Sequence, residues 1–389
     1  MTATVDVSLA PEVLDWVLRI SPADHHDDPQ RRIVQQWKSG ERQPNIRDIN
    51  EVSRKLHIPF SYFFLTQPID DTPAIFEHRT IGNGPLKTPS RDLVDTVADM
   101  SRIQDWARQD QIDNGGEPLP FIGSMTVKSG VVRIADSIRK TLGIEKTWYT
   151  QLGTRKAEEA FTLLRECAAQ TQIIVMMNGV VGNNTHRKLN PEEFRAFALV
   201  DEYAPLIFIN RADEPETARL FSLVHEFAHL WLGQDELFND GTPPRATSGL
   251  EQACNAVAAE ILMPTKEFTA EWHRVTHSGV PVEQRIEKMH EIFPASWTSI
   301  ALRALNSGSI SQTEYERITD AAQRWATRQT ATSSPGGNYY NTKLSRFDNR
   351  LLDHLVASVA EGRTSYVEAY RLTGTNRRTF PELLKRAGL

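Results

Sequence analysis

The sequence predicts an α+β chain: a small all-helical N-terminal module, a mixed central region and a helical C-terminal region. Three observations carry that assignment. Apolar residues recur at helical spacing in segments between 30 and 56 and between 91 and 170. The period shortens to that of a buried strand at 171–179 and at 205–210. Helical spacing then returns on both sides of a Ser-, Thr- and Gly-rich stretch at 327–343.

In the first module, QRRIVQQW (30–37) predicts an amphipathic turn and a half. Gly40 and Pro44 then mark a turn, because glycine tolerates unusual backbone angles and proline restricts Gln43. Ile46, Ile49, Val52, Ser53 and Leu56 fall near one side of the next helix, and the apolar run 59–65 supplies packing surface. IGNGPLKTPS (81–90) reads as a boundary loop. Helices are predicted at 91–109, 131–143 and 155–170. The strand TQIIVMMNG (171–179) ends at the turn signal Asn178-Gly179, and PLIFIN (205–210) forms a second strand. One long helix follows and stops at Gly233. A loop covers 234–248, and a helix starts near Ser248 with Glu251 in a capping-box position and Pro264 as its stop. Further helices are expected at 281–306 and in the tail. The resulting domains are 1–70, 75–300 with a core at about 171–265, and 335–389.

Lys and Arg number 44 against 50 Asp and Glu, so the net charge of -6 gives no global basic field for coating nucleic acid. Two cysteines, Cys167 and Cys254, exclude a disulfide framework. The first residues lack a basic stretch followed by an apolar core and a small-residue cleavage site. No run reaches the ~18 apolar residues of a membrane span. The expected setting is the reducing cytoplasm.

The strongest local signal is His225-Glu226-Phe227-Ala228-His229. Helical positions four apart lie one turn above one another, so both imidazoles face one volume and can share a Zn2+ ion. Glu226 lies beside that volume, suited to take a proton from an attacking water and pass it to a leaving nitrogen. Phe227, Ala228, Leu230 and Trp231 fit a helix packed into a core. The preferred third ligand is Glu251, near the start of the second apolar helix, which keeps a fourth position for water. Asp235, Glu236 and His273 are alternatives. Glu260 falls on another side of that helix. Asn255, one turn beyond Glu251, could hold a ligand through a hydrogen bond or serve as a local cap. His186, Tyr203 and His273 are chemically able to donate to an oxyanion. PLIFIN is either an edge strand that pairs with an extended peptide or a central core strand.

ARLFSLVHEFAHLWLG followed by EQACNAVAAEILMP resembles the ImmA/IrrE family of metallopeptidase-like proteins. Arg219, Phe221 and the Leu-Met-Pro ending of the second run add to the match, and the likeness extends less sharply over about 75–300. It implies a zincin-like metallopeptidase core with Glu251 at the metal-binding glutamate. Cys254 stands where the family usually has alanine, a small-residue exchange expected to leave the metal intact. Family members often relieve a repressor, and some accompany stress regulators or toxin–antitoxin genes. The resemblance therefore implies a zinc endopeptidase acting on a regulatory protein, a repressor or a toxin partner. The competing reading is a DNA-binding regulator or antitoxin-like protein that uses the fold as scaffold or sensor. Retention of Glu226 favours the enzyme, because zinc scaffolding needs no general base.

Trp37-Lys38-Ser39-Gly40-Glu41-Arg42-Gln43-Pro44, with Ile46 and Ile49, resembles a worn Xre/Cro-type helix-turn-helix module, with Lys38 where an acidic residue is usual. Residues 1–70 hold 8 Lys/Arg against 10 Asp/Glu. Phosphate binding to double-stranded DNA would therefore rest on Arg31, Arg32, Lys38, Arg42 and Arg47. A second copy of the chain is a further candidate partner. In the tail, 335–389, 9 Lys/Arg stand against 5 Asp/Glu, and Arg371, Arg377 and Arg378 could reach an acidic partner. The acidic run HHDD (25–28) reads as an exposed turn.

Overall fold

The computed structural model describes all residues except 1–6, 22–28, 70, 74–88, 213–214, 235, 239–248, 277–279, 330–342 and 389. The side chains of 236–238 and 323–329 also lie outside the description. The boundary loop expected at 81–90, the HHDD turn and most of the 327–343 linker therefore fall largely or wholly beyond the described residues. The chain divides into two compact units, with the described residues up to Ala98 in the first and those from Asp99 onward in the second.

The first unit holds α1 (Pro11–Ile20), α2 (Pro29–Ser39) and α3 (Ile46–Leu56), followed by a 3-10 turn at Phe60–Phe64. Val13, Trp16, Val17, Val34, Trp37, Ile49, Val52 and Phe63 form its core, with Trp37 edge-on to Phe63. Asn45 caps α3 by accepting the Asp48 backbone N–H at 2.9 Å. Helix α2 is longer than the turn and a half that its sequence suggested. Helix α1 had no counterpart in that reading, although Pro11 at its first turn and the spacing of Val13, Trp16, Val17 and Ile20 specify it. Helix α4 (Arg91–Asp113) contributes its first turns, including Leu93, Val94 and Val97, to this unit.

The second unit is built on a four-stranded sheet: β1 (Ile174–Asn178), β2 (Ala196–Leu199), β3 (Leu206–Asn210) and β4 (Glu236–Phe238), in the order β1-β3-β2-β4. Strand β3 runs parallel to β1 and antiparallel to β2, and β2 runs antiparallel to β4. PLIFIN is thus a central strand, not an edge, and all five of its residues in β3 are buried. Period-two alternation divides its side chains. Ile207 and Ile209 join the main core with Val175, Ala196 and Ala198. Phe208 turns to the other face and stacks on Phe197 with ring centroids 5.1 Å apart. Strands β2 and β4 were absent from the sequence reading: AFAL is too short to show a period, and β4 lies in the stretch read as loop.

Helices α5 (Val131–Leu142), α6 (Lys156–Gln170), α7 (Glu216–Leu232) and α8 (Gly249–Leu262) cover the sheet and one another. Then come α9 (Thr265–Val275), α10 (Val282–Ile292), α11 (Trp297–Asn306) and α12 (Gln312–Gln329). The tail adds α13 (Asn349–Ala360), α14 (Tyr366–Thr373) and α15 (Phe380–Ala387). Its described residues belong to the same compact unit as the sheet. Arg363 meets the buried Asp110 of α4 at 2.5 Å, Trp106 donates to Thr364 at 2.9 Å, and the Met177 N–H donates to the Arg346 carbonyl at 3.0 Å. Among the described residues, no helix is long and apolar enough to cross a membrane.

Candidate metal centre

Helix α7 carries the HExxH segment through the core. Its last turn is fixed by Gly233, whose left-handed φ of 67° lets its N–H close on the Leu230 carbonyl. A Cβ at Gly233 would come within 2.8 Å of the Gly123 Cα. That approach is used: the 119–125 segment runs against the end of α7, with the Gly123 and Met125 N–H groups donating to the Leu230 and Trp231 carbonyls. Phe121 stacks on Trp231, whose indole N–H donates to Ser137 at 3.1 Å. The helix is therefore held along its length, which fixes the positions of its polar side chains.

His225, Glu226 and His229 are all fully buried. His225 Nε2 and His229 Nε2 lie 3.0 Å apart. From α8, the Glu251 carboxylate reaches both, at 3.4 Å from His225 Nε2 and 3.0 Å from His229 Nε2. Asn255, one turn further along α8, offers its Oδ1 to His225 Nδ1 at 3.0 Å. Because Oδ1 only accepts, Nδ1 carries the proton and Nε2 presents its lone pair to the shared volume.

These residues fit a divalent cation. A tetrahedral ion with bonds of ~2.05 Å holds its nitrogen and oxygen ligands ~3.3 Å from one another, and the observed separations run from 3.0 to 3.4 Å. Two imidazole nitrogens facing at 3.0 Å repel unless a proton or a cation lies between them. Burial pushes the His225 pKa down, against the opposing pull of Glu251 and Asn255, which favours the neutral ligand form. Burial also raises the Glu251 carboxyl, but its contacts with the His225 and His229 rings outweigh it and hold the group well below the usual carboxylate range. At His229 burial acts downward, while Cys254, Glu251 and Glu226 pull upward and win.

Residues 175–292 match the family model of the IrrE N-terminal-like domain, Peptidase_M78. This stretch resembles a metallopeptidase family. The match supports the ImmA/IrrE resemblance, fits a zincin-like core, and spans the whole cluster from His225 to Asn255. Residues 347–386 match a domain of unknown function, DUF8813. No curated protein and no solved structure matches the chain.

Within the Peptidase_M78-like stretch, Cys254, read from the sequence only as a small-residue exchange that leaves the metal intact, stands beside the cluster. Cys254 is buried, and its sulfur lies with the ligand nitrogens of His225 and His229 in a group whose atoms are all within 4.8 Å of one another. The signal was present: Cys254 is three residues after Glu251 and so shares its face of α8. Glu260 lies elsewhere, taken up by Arg303 at 2.5 Å and by Thr265. Of the other ligand candidates, Asp235 and the Glu236 side chain fall outside the described residues. The capping box is not described, because Ser248 also lies outside them.

The oxyanion-donor candidates are scattered. His186 is exposed in the loop after β1, and His273 is exposed on α9. No hydrogen bond among the described residues joins either side chain to the cluster. Tyr203 lines a cavity of about 30 Å³ with Trp106, Leu351 and His354, and no cluster residue lines it. In the first unit, Arg31 donates to the Leu18 and Ser21 carbonyls at the end of α1, at 2.8 and 2.6 Å. Lys38 pairs with Asp15, and Arg42 pairs with Asp48 at 2.5 Å. Arg31, Lys38 and Arg42 are thus engaged within their own module. Helix α1 and α3 supply the competing partners, which a count of cations alone does not show.

Proposed function

We propose that the protein is a zinc-dependent endopeptidase that cleaves an intracellular regulatory protein, such as a transcriptional repressor. The observation that carries this reading is the convergence of His225, His229 and Glu251 on one buried volume, with Glu226 next to His225 on the same helix. Zinc bound there would supply a Lewis acid that polarises a peptide carbonyl and makes water easier to deprotonate. His225 and His229 would hold the cation through their ring nitrogens, and Asn255 accepts from His225 Nδ1 and so leaves Nε2 of that ring free of a proton. Glu251 adds the negative charge that offsets the ion. Glu226 accepts the proton of the attacking water and returns it to the leaving amine nitrogen. The buried apolar packing around α7 keeps these groups at fixed positions and strengthens every charge interaction among them.

A regulatory protein as substrate follows from the family resemblance. The first test is a comparison of proteomes from cells carrying the wild type or Glu226→Gln. An intact protein that accumulates in the variant, with its fragments missing, identifies the substrate. Identical proteomes under conditions where both proteins carry zinc would defeat the peptidase reading.

A further inference from the structure

We infer that Cys254 is a fourth protein ligand of the metal, closing the coordination site that a hydrolytic water requires and making the resting centre latent. The inference rests on the metal site proposed above and concerns what completes it. Helix α8 presents Glu251, Cys254 and Asn255 on one face. Glu251 and Asn255 already contact the two histidines at 3.0 to 3.4 Å. Cys254 lies between them in sequence and is fully buried, and its sulfur is within 4.8 Å of a ring nitrogen of each histidine. His229 is also fully buried, held through Nε2 by Glu251 at 3.0 Å, and among the described residues its Nδ1 has no hydrogen-bond partner.

The distances admit the bond. A tetrahedral ion with bonds of ~2.3 Å to sulfur and ~2.05 Å to nitrogen places those ligand atoms ~3.6 Å apart. The separation of at most 4.8 Å thus leaves a closure of no more than about 1.2 Å, within reach of a side-chain rotation. Coordination breaks the S–H bond heterolytically and forms the sulfur–metal bond, and the proton passes to solvent. The result is a centre with two histidines, one carboxylate and one thiolate. Four protein ligands are the signature of closed zinc sites, whereas hydrolytic sites retain three and leave the fourth position to water. Withdrawal of the sulfur, with the other three ligands in place, opens the centre. The alanine usual at this position in the resembling family has no atom that could do this.

Cobalt(II) tests the assignment without any activity measurement. The metal-free full-length protein is loaded with cobalt, its metal content is measured, and its near-ultraviolet spectrum is recorded for wild type, Cys167→Ser, Cys254→Ser and Cys254→Ala. The expected result is one cobalt per chain in all four, with a thiolate-to-cobalt charge-transfer band in wild type and Cys167→Ser that is lost from both Cys254 variants. Full cobalt occupancy in the wild type without that band overturns the thiolate ligand and leaves the three-ligand site standing. Failure of the folded wild type to bind cobalt overturns both. The wild-type spectrum alone decides the matter if the substitutions impair folding.

Discussion

Asn255→Ala isolates the hydrogen bond that fixes His225. In the native protein Asn255 Oδ1 accepts from His225 Nδ1 at 3.0 Å, inside a core where His225 has no exposed surface. Removing the acceptor leaves a buried N–H without that bond, at a cost of about 1–3 kcal/mol. The neutral ring can also switch tautomer, which would move the proton to Nε2 and take its lone pair away from the cluster. Loss of such an outer partner lowers metal affinity by roughly 10- to 100-fold, or about 1.4–2.7 kcal/mol. Competitive zinc titration against a chromophoric chelator measures this directly. Thermal unfolding of the metal-free proteins separates lost stability from lost affinity. Asn255→Asp retains an acceptor and should recover most of the affinity. Zinc affinity within about threefold of wild type in Asn255→Ala, with the fold intact, would refute the argument that tautomer control at His225 holds the site together.

Glu226→Gln should keep about one zinc per chain and lose peptide hydrolysis; loss of the metal from this variant would remove Glu226 from the role of base. His225→Ala and Glu251→Ala should each abolish stoichiometric zinc, measured by elemental analysis of the purified proteins, and retention in Glu251→Ala would exclude that carboxylate as a ligand. Zinc affinity should fall as pH falls, because protons compete for the same lone pairs. A pH-independent affinity from 8 to 5, measured by the same titration, would contradict a histidine-held ion. Gly233→Ala combines a left-handed φ of 67° with a 2.8 Å approach to Gly123 and should lower stability in urea by about 1–3 kcal/mol. In a duplex-binding salt series, five phosphate contacts would give a log–log slope of about -4.5. Because Arg31, Lys38 and Arg42 are already engaged, a distinctly shallower slope is expected, and one of -4.5 or steeper would mean that those pairs open on DNA.

What the sequence disclosed and what it concealed divide along the distance between interacting residues. The relation of His225, Glu226 and His229 is a matter of one helical turn, so their spacing alone predicted that the two imidazoles share a volume. The stop at Gly233 is equally local. Glu251 required a step across a loop, and it was reachable because carboxylate and histidine chemistry demanded a third donor. The placement of β3 was open for a different reason. Its apolar run suits an edge or a centre equally, and the decision belongs to β1 and β2, whose pairing with it comes from elsewhere in the chain. The contacts of Arg31 and Lys38 within the first module were not legible because α1, which engages both, was not assigned.

The tail extends the same reasoning to domain structure. A linker-like composition at 327–343 and a renewed helical period suggested a small helical domain at 335–389; residues 347–386 match a domain model of their own, and the described residues of this stretch lie in the same compact unit as the sheet. The contacts responsible join residues far apart in sequence: Arg165 of α6 donates to the Phe347 and Ser345 carbonyls, Arg350 to the Ala169 carbonyl, and Arg363 to Asp110. Each supplies a charged donor to a carbonyl or carboxylate that the helix termini and loops leave available. Composition reports how a segment would behave in isolation. Here the buried Asp110 and the Ser345 and Phe347 carbonyls take their charged donors across the join of tail and core, so the described tail is part of the scaffold around α6 and β1.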